Sequence, residues 1–186
     1  MSEVPAVETS EDGAQPQPEG QEHASGEFEV PEGYATVTGA PSGDQRAVAV
    51  VVSKFNGDVT GRLLQTALEE LERTGVVREA ITIVPVPGAF ELPLAAMALA
   101  KTRKYACIVA LGCVIRGETP HFEYVAGEAA SGLQLAGIET GVPVSFGVLT
   151  TETLEQAEAR IDRAADAVRS ALEMADVFQQ VRTAAK

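Results

Sequence analysis

From residue 46 onward, short apolar runs alternate with longer amphipathic segments. The apolar runs are rich in β-branched residues and have no polar face, which is typical of strands in a parallel sheet that is covered on both sides. The longer segments carry apolar residues at helical spacing, which is typical of helices with one buried face. The pattern predicts strands at 46–53, 80–86, 105–112 and 142–149, and helices at 58–75, 91–102, 119–140 and 153–182.

Local signals mark several helix ends. Gly75 suits the left-handed position just after the first helix. Thr119 followed by Pro120 predicts the start of the third helix, with the threonine as cap and the proline in the first turn. Thr153 and Gln156 have capping-box spacing, so a long final helix is expected to begin there and to run without a break.

The order of elements predicts an α/β fold with a four-stranded parallel sheet. Strands that alternate with helices need crossover connections, and these place helices on both faces of the sheet. In such sheets, ligands bind beyond the carboxyl ends of the strands. The candidate site is therefore formed by the loops at 53–58, 86–91, 113–120 and 149–153.

The first 44 residues differ from the rest in composition. They carry five of the ten prolines and few large apolar residues. Such a segment buries too little apolar surface to offset its ordering entropy, so residues 1–26 are predicted to be disordered. Residues 27–44 hold four large apolar side chains and are expected to order against another surface, such as a neighbouring subunit. The expected division is an acidic tail at 1–44 and one folded domain at 45–186.

Charge and composition argue against several classes of protein. Ten of the 27 acidic residues lie in the tail, which has no Lys or Arg, so the rest carries 17 acids against 14 bases. No basic block is present, so nucleic-acid binding is not expected. The apolar runs are too short to span a bilayer, and no secretory signal is recognised. Two cysteines on one predicted strand suit neither a disulfide nor a metal site, so a cytoplasmic location is expected.

The first two loops at the strand ends each hold an aromatic residue. Phe55 is interpreted either as a hydrophobic contact to the next helix or as a stacking surface for a flat ligand. In the second loop, Phe90 and Glu91 follow a tight Pro-Gly turn. Glu91 either complements the helix dipole or accepts hydrogen bonds from a polyol or a ring N–H.

The third loop contains a candidate anion site. Gly117 lets the backbone approach a ligand closely, and the N–H groups of Glu118 and Thr119 precede a helix start, where anions bind. His121 lies in the first helical turn, where the dipole favours the neutral, proton-accepting imidazole. A general acid–base beside a phosphate site is one interpretation. A packed or simply exposed histidine is the other.

The candidate cations for a phosphate are Arg116 in the third loop, and Arg160 and Arg163 beyond the fourth. Phe146 lies within the fourth strand, where core packing is its ordinary role. The sequence has no dinucleotide or Walker glycine pattern and no Ser-His-Asp or Cys-His signature. His121 is the only histidine after the tail, so no metal site is expected.

Five segments together resemble the lumazine synthase family. The resemblance runs from about residue 46 to 178, and its most specific part is GCVIRGETPHFEYV at 112–125. It implies a flavodoxin-like three-layer α/β/α sandwich and the condensation of 5-amino-6-(D-ribitylamino)uracil with 3,4-dihydroxy-2-butanone 4-phosphate, without metal or organic cofactor. The other segments are KFN at 54–56, PGAFELP at 87–93, FGVLTTETLEQA at 146–157 and LEMA at 172–175.

The resemblance also implies roles for individual residues. His121 is expected to shuttle protons, and Phe146 is expected to reach the site of an adjacent subunit. The enzyme would therefore act as a homo-oligomer, a pentamer or a pentamer-based capsid, with active sites between subunits. The residues expected to hold the substrates are Phe55, Ala89, Phe90, Glu91, Cys113, Val114, Ile115, Glu118, Thr119, Phe146 and Arg160.

One segment departs from the family pattern. After Arg160 the family usually has a loop rich in Gly, Lys and Asn, whereas this chain has ARIDRAADAVRSALEM, which is several residues shorter. Arg163 falls near the position of the family's lysine and is the candidate to replace it. Two alternatives stay open: a non-catalytic shell-forming or flavin-binding paralogue, and a riboflavin synthase on the same fold.

Overall fold

The structure is a computed structural model that describes residues 28–184. The disorder predicted for residues 1–26 falls outside this range. The chain divides into two compact units, Met1–Thr36 and Val37–Lys186. In the described part of the first unit, residues 32–34 form a turn, and Phe28 and Tyr34 are exposed.

The second unit is built on a four-stranded sheet in which every pair is parallel, as predicted. The strand order is β2-β1-β3-β4, so the chain reverses its direction of travel across the sheet after β2. Such a reversal opens a crevice at the carboxyl ends of the central strands. The strands are β1 (Val48–Ser53), β2 (Ile81–Val86), β3 (Cys107–Ile115) and β4 (Val144–Thr151).

Helices cover both faces of the sheet and complete three layers. The helices α1 and α5 pack on one face, and α2 and α3 pack on the other. This arrangement confirms the flavodoxin-like α/β/α prediction. The helices are α1 (Gly57–Arg73), α2 (Leu92–Lys101), α3 (His121–Thr140), α4 (Leu154–Glu158) and α5 (Arg163–Ala184).

Successive residues of the central strands enter two separate cores. In β1, Val48 and Val50 pack beneath α1 and α5, whereas Ala49 and Val51 pack beneath α2 and α3. All four are fully buried. Because side chains alternate across a strand, a sheet covered on both faces needs apolar residues at every position, which explains the unbroken apolar runs of the sequence.

The end of α1 has the geometry predicted from its glycine. Gly75 has φ +99°, in the left-handed region. Its N–H donates to the Glu72 carbonyl at 3.1 Å, and the Val76 N–H donates to the Leu71 carbonyl at 2.9 Å. These two bonds form a Schellman motif, and buried Val76 supplies the hydrophobic contact that accompanies it.

A buried carboxylate fastens α1 to α5. Glu70 lies on α1 with only 7% of its side chain exposed. It pairs with Arg73 on its own helix at 2.6 Å and with Arg169 on α5 at 2.8 Å. The hydrogen bond from Arg73, followed by that from Arg169, lowers the pKa of Glu70 despite the opposing effect of burial.

The prediction of one unbroken final helix is wrong. The chain leaves α4 after Glu158 and turns through residues 159–162 before α5 begins. The N–H groups of Arg160 and Arg163 bond three residues back, to Ala157 and Arg160. The turn lets α4 lie against the ends of β3 and β4 while α5 packs along the sheet and α1, so tertiary packing outweighs the helical propensity of this glycine-free segment.

Of the two helix caps predicted from threonine, one forms in part and the other does not form. Thr153 does cap α4, since its hydroxyl accepts the Gln156 N–H at 3.3 Å, but the Gln156 side-chain oxygen accepts the Glu152 N–H rather than that of Thr153. Thr119 does not cap α3: the helix begins at His121, and Pro120 occupies the capping position without a side-chain bond. The threonine hydroxyl is thereby left available at the strand end.

Candidate active site

A cavity of about 560 Å³ lies at the carboxyl ends of β1, β2 and β3. Its volume falls in the range of ordinary small-molecule sites. Three of the four loops that the sequence singled out contribute to its walls. The lining residues are Phe55, Asn56, Gly88, Ala89, Phe90, Glu91, Cys113, Val114, Ile115, Gly117, Thr119, His121, Phe122, Tyr124 and Val125.

The first wall is the loop that follows β1. Asn56 has φ +56°, a left-handed conformation that asparagine tolerates, and its side-chain amide donates to the Cys113 carbonyl at 2.9 Å. The Phe55 N–H donates to the Pro87 carbonyl at 3.1 Å. These bonds fix the loop while the Phe55 ring stays 70% exposed. The ring is therefore no buried contact to α1, and its face is open to a flat ligand.

The second wall is the turn at Gly88. The Gly88 N–H donates to the Glu91 carboxylate, Oε2, at 2.8 Å. A side chain at position 88 would crowd this carboxylate, because a Cβ there would lie 3.2 Å from the same oxygen. Glu91 thus holds its own turn together and has a second oxygen, Oε1, beside the cavity. Phe90 is 57% exposed on the same turn.

The floor is the end of β3, where Cys113, Val114 and Ile115 follow one another. Burial raises the pKa of the Cys113 thiol to about 11. The sulfur is therefore a neutral, apolar wall at physiological pH rather than a nucleophile, since the thiolate is the reactive form. Cys107, deeper in the same strand, has a pKa raised to about 12 by burial.

The start of α3 offers free hydrogen-bond donors. In the described part of the chain, the backbone N–H groups of Glu118 and Thr119 have no hydrogen-bond partner, and neither does the Thr119 hydroxyl. His121 is the first helical residue and is exposed. Unpaired amides at the start of a 20-residue helix attract an anion, and the imidazole lies beside them.

Arg116 braces this part of the site. Its guanidinium pairs with Glu152 after β4 at 2.7 Å and with Glu123 on α3 at 3.3 Å. It also stacks over the Phe122 ring, 4.5 Å from the ring centre. Both carboxylates, Glu152 first, raise the pKa of Arg116. Of the three arginines that the sequence offered for a phosphate, this one is therefore already engaged by two acids.

Three of the expected site residues lie outside the cavity of this single chain. Glu118 lies between the lining residues Gly117 and Thr119 but does not itself line the cavity. Phe146 lies on β4 and is 46% exposed. Arg160 lies in the turn between α4 and α5, where its guanidinium donates to the Gln156 carbonyl at 2.8 Å. Arg163, the candidate replacement for the family lysine, pairs with Asp166 at 3.2 Å.

Sequence reasoning left several lining residues out of the site. Tyr124 and Val125 line the cavity together with His121. Residues three and four positions apart share a helix face, so the helical spacing from His121 was the signal that could have found them. Asn56 and Phe122 act through contacts with other segments, and no local pattern shows such contacts.

Comparison with known proteins identifies the family of this chain. A sequence model of 6,7-dimethyl-8-ribityllumazine synthase matches residues 45–179. The chain belongs to the 6,7-dimethyl-8-ribityllumazine synthase family. It is also 49% identical over 156 residues to the 6,7-dimethyl-8-ribityllumazine synthase of Edwardsiella ictaluri (strain 93-146), covering 79% of this chain and 98% of that protein.

The described residues of this lumazine synthase family member were also compared with the requirements of a metal site and of a membrane-spanning helix. Within residues 28–184, no three His, Cys, Asp or Glu side chains are grouped as a metal site would require. Over the same residues, no helix has the length and apolar character needed to cross a membrane.

Proposed function

We propose that this chain condenses 5-amino-6-(D-ribitylamino)uracil with 3,4-dihydroxy-2-butanone 4-phosphate to 6,7-dimethyl-8-ribityllumazine, the penultimate step of riboflavin biosynthesis. The protein is then a transferase of the family to which it belongs. The observation that carries the proposal is one cavity that holds an exposed aromatic face, a carboxylate turn, unpaired amides and His121. These are the groups that a flat ring, a polyol, a phosphate and a proton transfer require.

The pyrimidine substrate takes the side of the cavity formed by β1 and β2. Its planar ring stacks on Phe55, because aromatic faces attract flat, polarisable rings. Ala89, Phe90 and Glu91 hold the ring edge and the ribityl chain, and the free Glu91 oxygen accepts a hydrogen bond from the substrate. Cys113, Val114 and Ile115 supply the apolar floor.

The butanone phosphate takes the side near α3. Its phosphate accepts hydrogen bonds from the amides of Glu118 and Thr119 and from the threonine hydroxyl, at the positive end of the helix dipole. The amine of the pyrimidine attacks the ketone and loses water to form an imine, phosphate is eliminated, and ring closure expels a second water. His121 accepts and returns the protons that these steps move, and the phosphate site stabilises the departing anion.

The complete site needs a second subunit. Phe146 is an exposed phenylalanine on β4 that does not line its own chain's cavity, and Arg160 lies outside it as well. We assign both to the site of an adjacent subunit in a pentamer or a pentamer-based capsid. Residues 45–186 form the catalytic domain in this proposal, and residues 1–44 form an acidic tail. We place the reaction in the cytoplasm, where the two buried thiols stay reduced.

The direct test is to incubate the purified protein with both substrates and follow the fluorescence of the lumazine product. Product formation without added metal or cofactor is expected. Absence of product, with tight flavin binding, would favour a non-catalytic paralogue. Conversion of lumazine alone into riboflavin would instead favour a riboflavin synthase on the same fold.

The role of His121 is tested by His121→Ala. Loss of a general acid–base typically lowers turnover by about 10²- to 10⁴-fold. A non-reacting analogue of the pyrimidine substrate should still bind with unchanged affinity, since the stacking and carboxylate contacts are intact. Full turnover in the variant would exclude His121 as the proton-transfer group.

The phosphate contact is tested by Arg160→Ala, with Arg163→Ala as the matched comparison. Removal of the phosphate ligand should raise the KM for the butanone phosphate by roughly tenfold or more and leave the KM for the pyrimidine unchanged. If Arg163→Ala alone raises that KM, the phosphate contact belongs to Arg163.

A further inference from the structure

A second cavity of about 560 Å³ lies at the opposite edge of the sheet. Its walls come from the segments that precede β1, β3 and β4, and from the second half of α5. These segments are at the amino ends of the strands, whereas the candidate active site is at their carboxyl ends. The lining residues are Gln45, Arg46, Ala47, Arg103, Lys104, Tyr105, Ala106, Val142, Ala175, Gln179, Arg182 and Thr183.

The walls of this second cavity carry four cations and no carboxylate. Arg46 is neutralised by Asp176 behind the wall, at 2.7 Å. Within residues 28–184, Arg103 and Lys104 have no acidic partner. The Arg182 guanidinium has none either: it donates to the carbonyl oxygens of Phe178 and Gly141 and lies 5.8 Å from the centre of the Phe178 ring. Three uncompensated positive charges therefore converge in a chain whose net charge is −13.

Backbone strain is concentrated at the same place. Among residues 28–184, three non-glycine residues have a left-handed backbone: Gln45 (φ +59°), Asn56 (φ +56°) and Arg103 (φ +58°). Asn56 belongs to the candidate active site, and the other two line the second cavity. Arginine and glutamine tolerate this conformation poorly, whereas glycine or asparagine would relieve it. Arg103 lies just past the end of α2, where a left-handed residue commonly closes a helix, and its N–H donates to the Ala100 carbonyl at 3.1 Å. This helix end places Arg103 in the wall of the second cavity.

Neutral donors complete the polar lining. Tyr105 and Gln179 line the same cavity, and the Tyr105 hydroxyl and the Gln179 amide have no side-chain hydrogen-bond partner in the described part of the chain. Val142 and Ala175 add an apolar side. The site thus combines two guanidinium groups, an ammonium group, neutral donors and a small apolar surface, all within a volume suited to a metabolite.

We propose that this cavity binds a small phosphate-bearing ligand at a site separate from the active centre. Guanidinium groups match the oxygens of a phosphate with paired, charge-assisted hydrogen bonds, and three uncompensated cations match a ligand with at least two phosphate charges. The two cavities share no lining residue, so the proposed ligand does not compete with the substrates for the active centre.

The test measures pyrophosphate binding to the full-length oligomer by titration calorimetry. Two variants remove cations from the cavity: Arg103→Asn, which keeps a residue that tolerates the left-handed backbone, and Arg182→Gln. The matched control is Arg78→Gln, which removes an exposed arginine from a pair with Glu72 on another surface. Each cavity variant should weaken one class of pyrophosphate sites at least tenfold, and the control should not.

Two further measurements separate this site from the active centre and from misfolding. Both cavity variants should keep the parent's KM for the butanone phosphate, and Arg103→Asn should keep or raise the melting temperature. Equal affinity in parent and cavity variants, or an equal loss in Arg78→Gln, would overturn the proposal. So would a loss accompanied by a raised KM, because the affected site would then be the active centre.

The source of the phosphate is distinguished by three probes at equal concentration: inorganic phosphate, pyrophosphate and adenosine diphosphate. Tighter binding of the diphosphate nucleotide than of pyrophosphate would identify a nucleotide site that uses the apolar side as well. Equal affinity would identify a site for the phosphate groups alone. Failure of all three to bind outside the active centre would overturn the proposal.

Discussion

At the scale of single residues, the structure resolves side chains that the sequence left with two interpretations. Phe55 is largely exposed beside the cavity, so stacking is favoured over core contact. Glu91 serves both interpretations, since one oxygen holds its turn and the other is available to a ligand. Arg116, a candidate phosphate ligand by type, is instead paired with two carboxylates and positions the start of α3.

The stacking role predicts the behaviour of Phe55→Ala. Loss of the aromatic face should raise the KM for the pyrimidine substrate by about tenfold, because an aromatic contact contributes about 0.5–1.5 kcal/mol beyond its buried area. The KM for the butanone phosphate should not change. Phe55→Tyr keeps the ring and serves as the control in steady-state kinetics. Equal KM values for the alanine and tyrosine variants would contradict stacking.

The buried pair at Glu70 predicts a pH-dependent contribution to stability. Its pKa in the folded protein is lowered from the ordinary value of 4.5, so its stabilising effect is present above pH 4.5 and is lost as the pH falls through the lower folded value. Glu70→Gln should lower the free energy of unfolding by about 2 kcal/mol at pH 7, the range for hydrogen bonds to charged groups.

Urea unfolding of parent and Glu70→Gln across pH 3 to 7 checks this expectation. The difference in unfolding free energy should shrink as the pH falls below 4.5. Glu72→Gln, which removes a more exposed acid of α1 from its pair with Arg78, is the control and should show a smaller difference throughout. A difference that stays constant down to pH 3 would contradict the lowered pKa.

At the scale of elements, strand and helix identities follow the local pattern, whereas several ends depend on neighbours. Gly75 ends α1 as predicted, since its left-handed conformation is a local property. The break between α4 and α5 was not predicted, because residues 159–162 contain neither Gly nor Pro. Packing of α4 on the strand ends and of α5 on α1 imposes that turn.

One glycine within α1 and the glycine that follows its end give a matched pair of substitutions. Gly75→Ala should destabilise the protein by about 1–2 kcal/mol, because alanine disfavours the left-handed backbone. The new Cβ would also lie 2.6 Å from the Asp44 carboxylate. Gly61→Ala, inside the helix with open space around it, should stabilise by about 0.5–1 kcal/mol. Thermal unfolding of both variants checks the opposite signs, and two shifts of the same sign would contradict the assignment of the helix end.

At the scale of the whole molecule, a single chain presents only part of the proposed site. Nine of the expected residues line one cavity, whereas Glu118, Phe146 and Arg160 do not. Phe146 is 46% exposed on β4, and the proposed assembly brings it to the site of a neighbouring subunit. Activity is therefore expected to belong to the oligomer rather than to the isolated chain.

Subunit mixing tests the shared site. Phe146→Ala and His121→Ala homo-oligomers should each have low activity, because every site lacks one component. When the two variants are unfolded and refolded together, some sites combine an intact His121 with an intact Phe146 from the neighbour, and part of the activity should return. Separately refolded variants mixed without exchange are the control. No recovery in verified mixed oligomers would place both residues in the site of one chain.

By itself, the sequence determined the order of elements, the parallel sheet, the edge of the sheet at which the candidate site lies and the stretch around His121. These follow from periodicity and from short-range chemistry, which are local properties of the chain. Only the tertiary structure decided the break after α4, the pairing of Arg116, the exposure of Phe55 and the gathering of Arg103, Lys104 and Arg182 at the other edge. Each of these depends on contacts between segments far apart in the chain, and local patterns do not record such contacts.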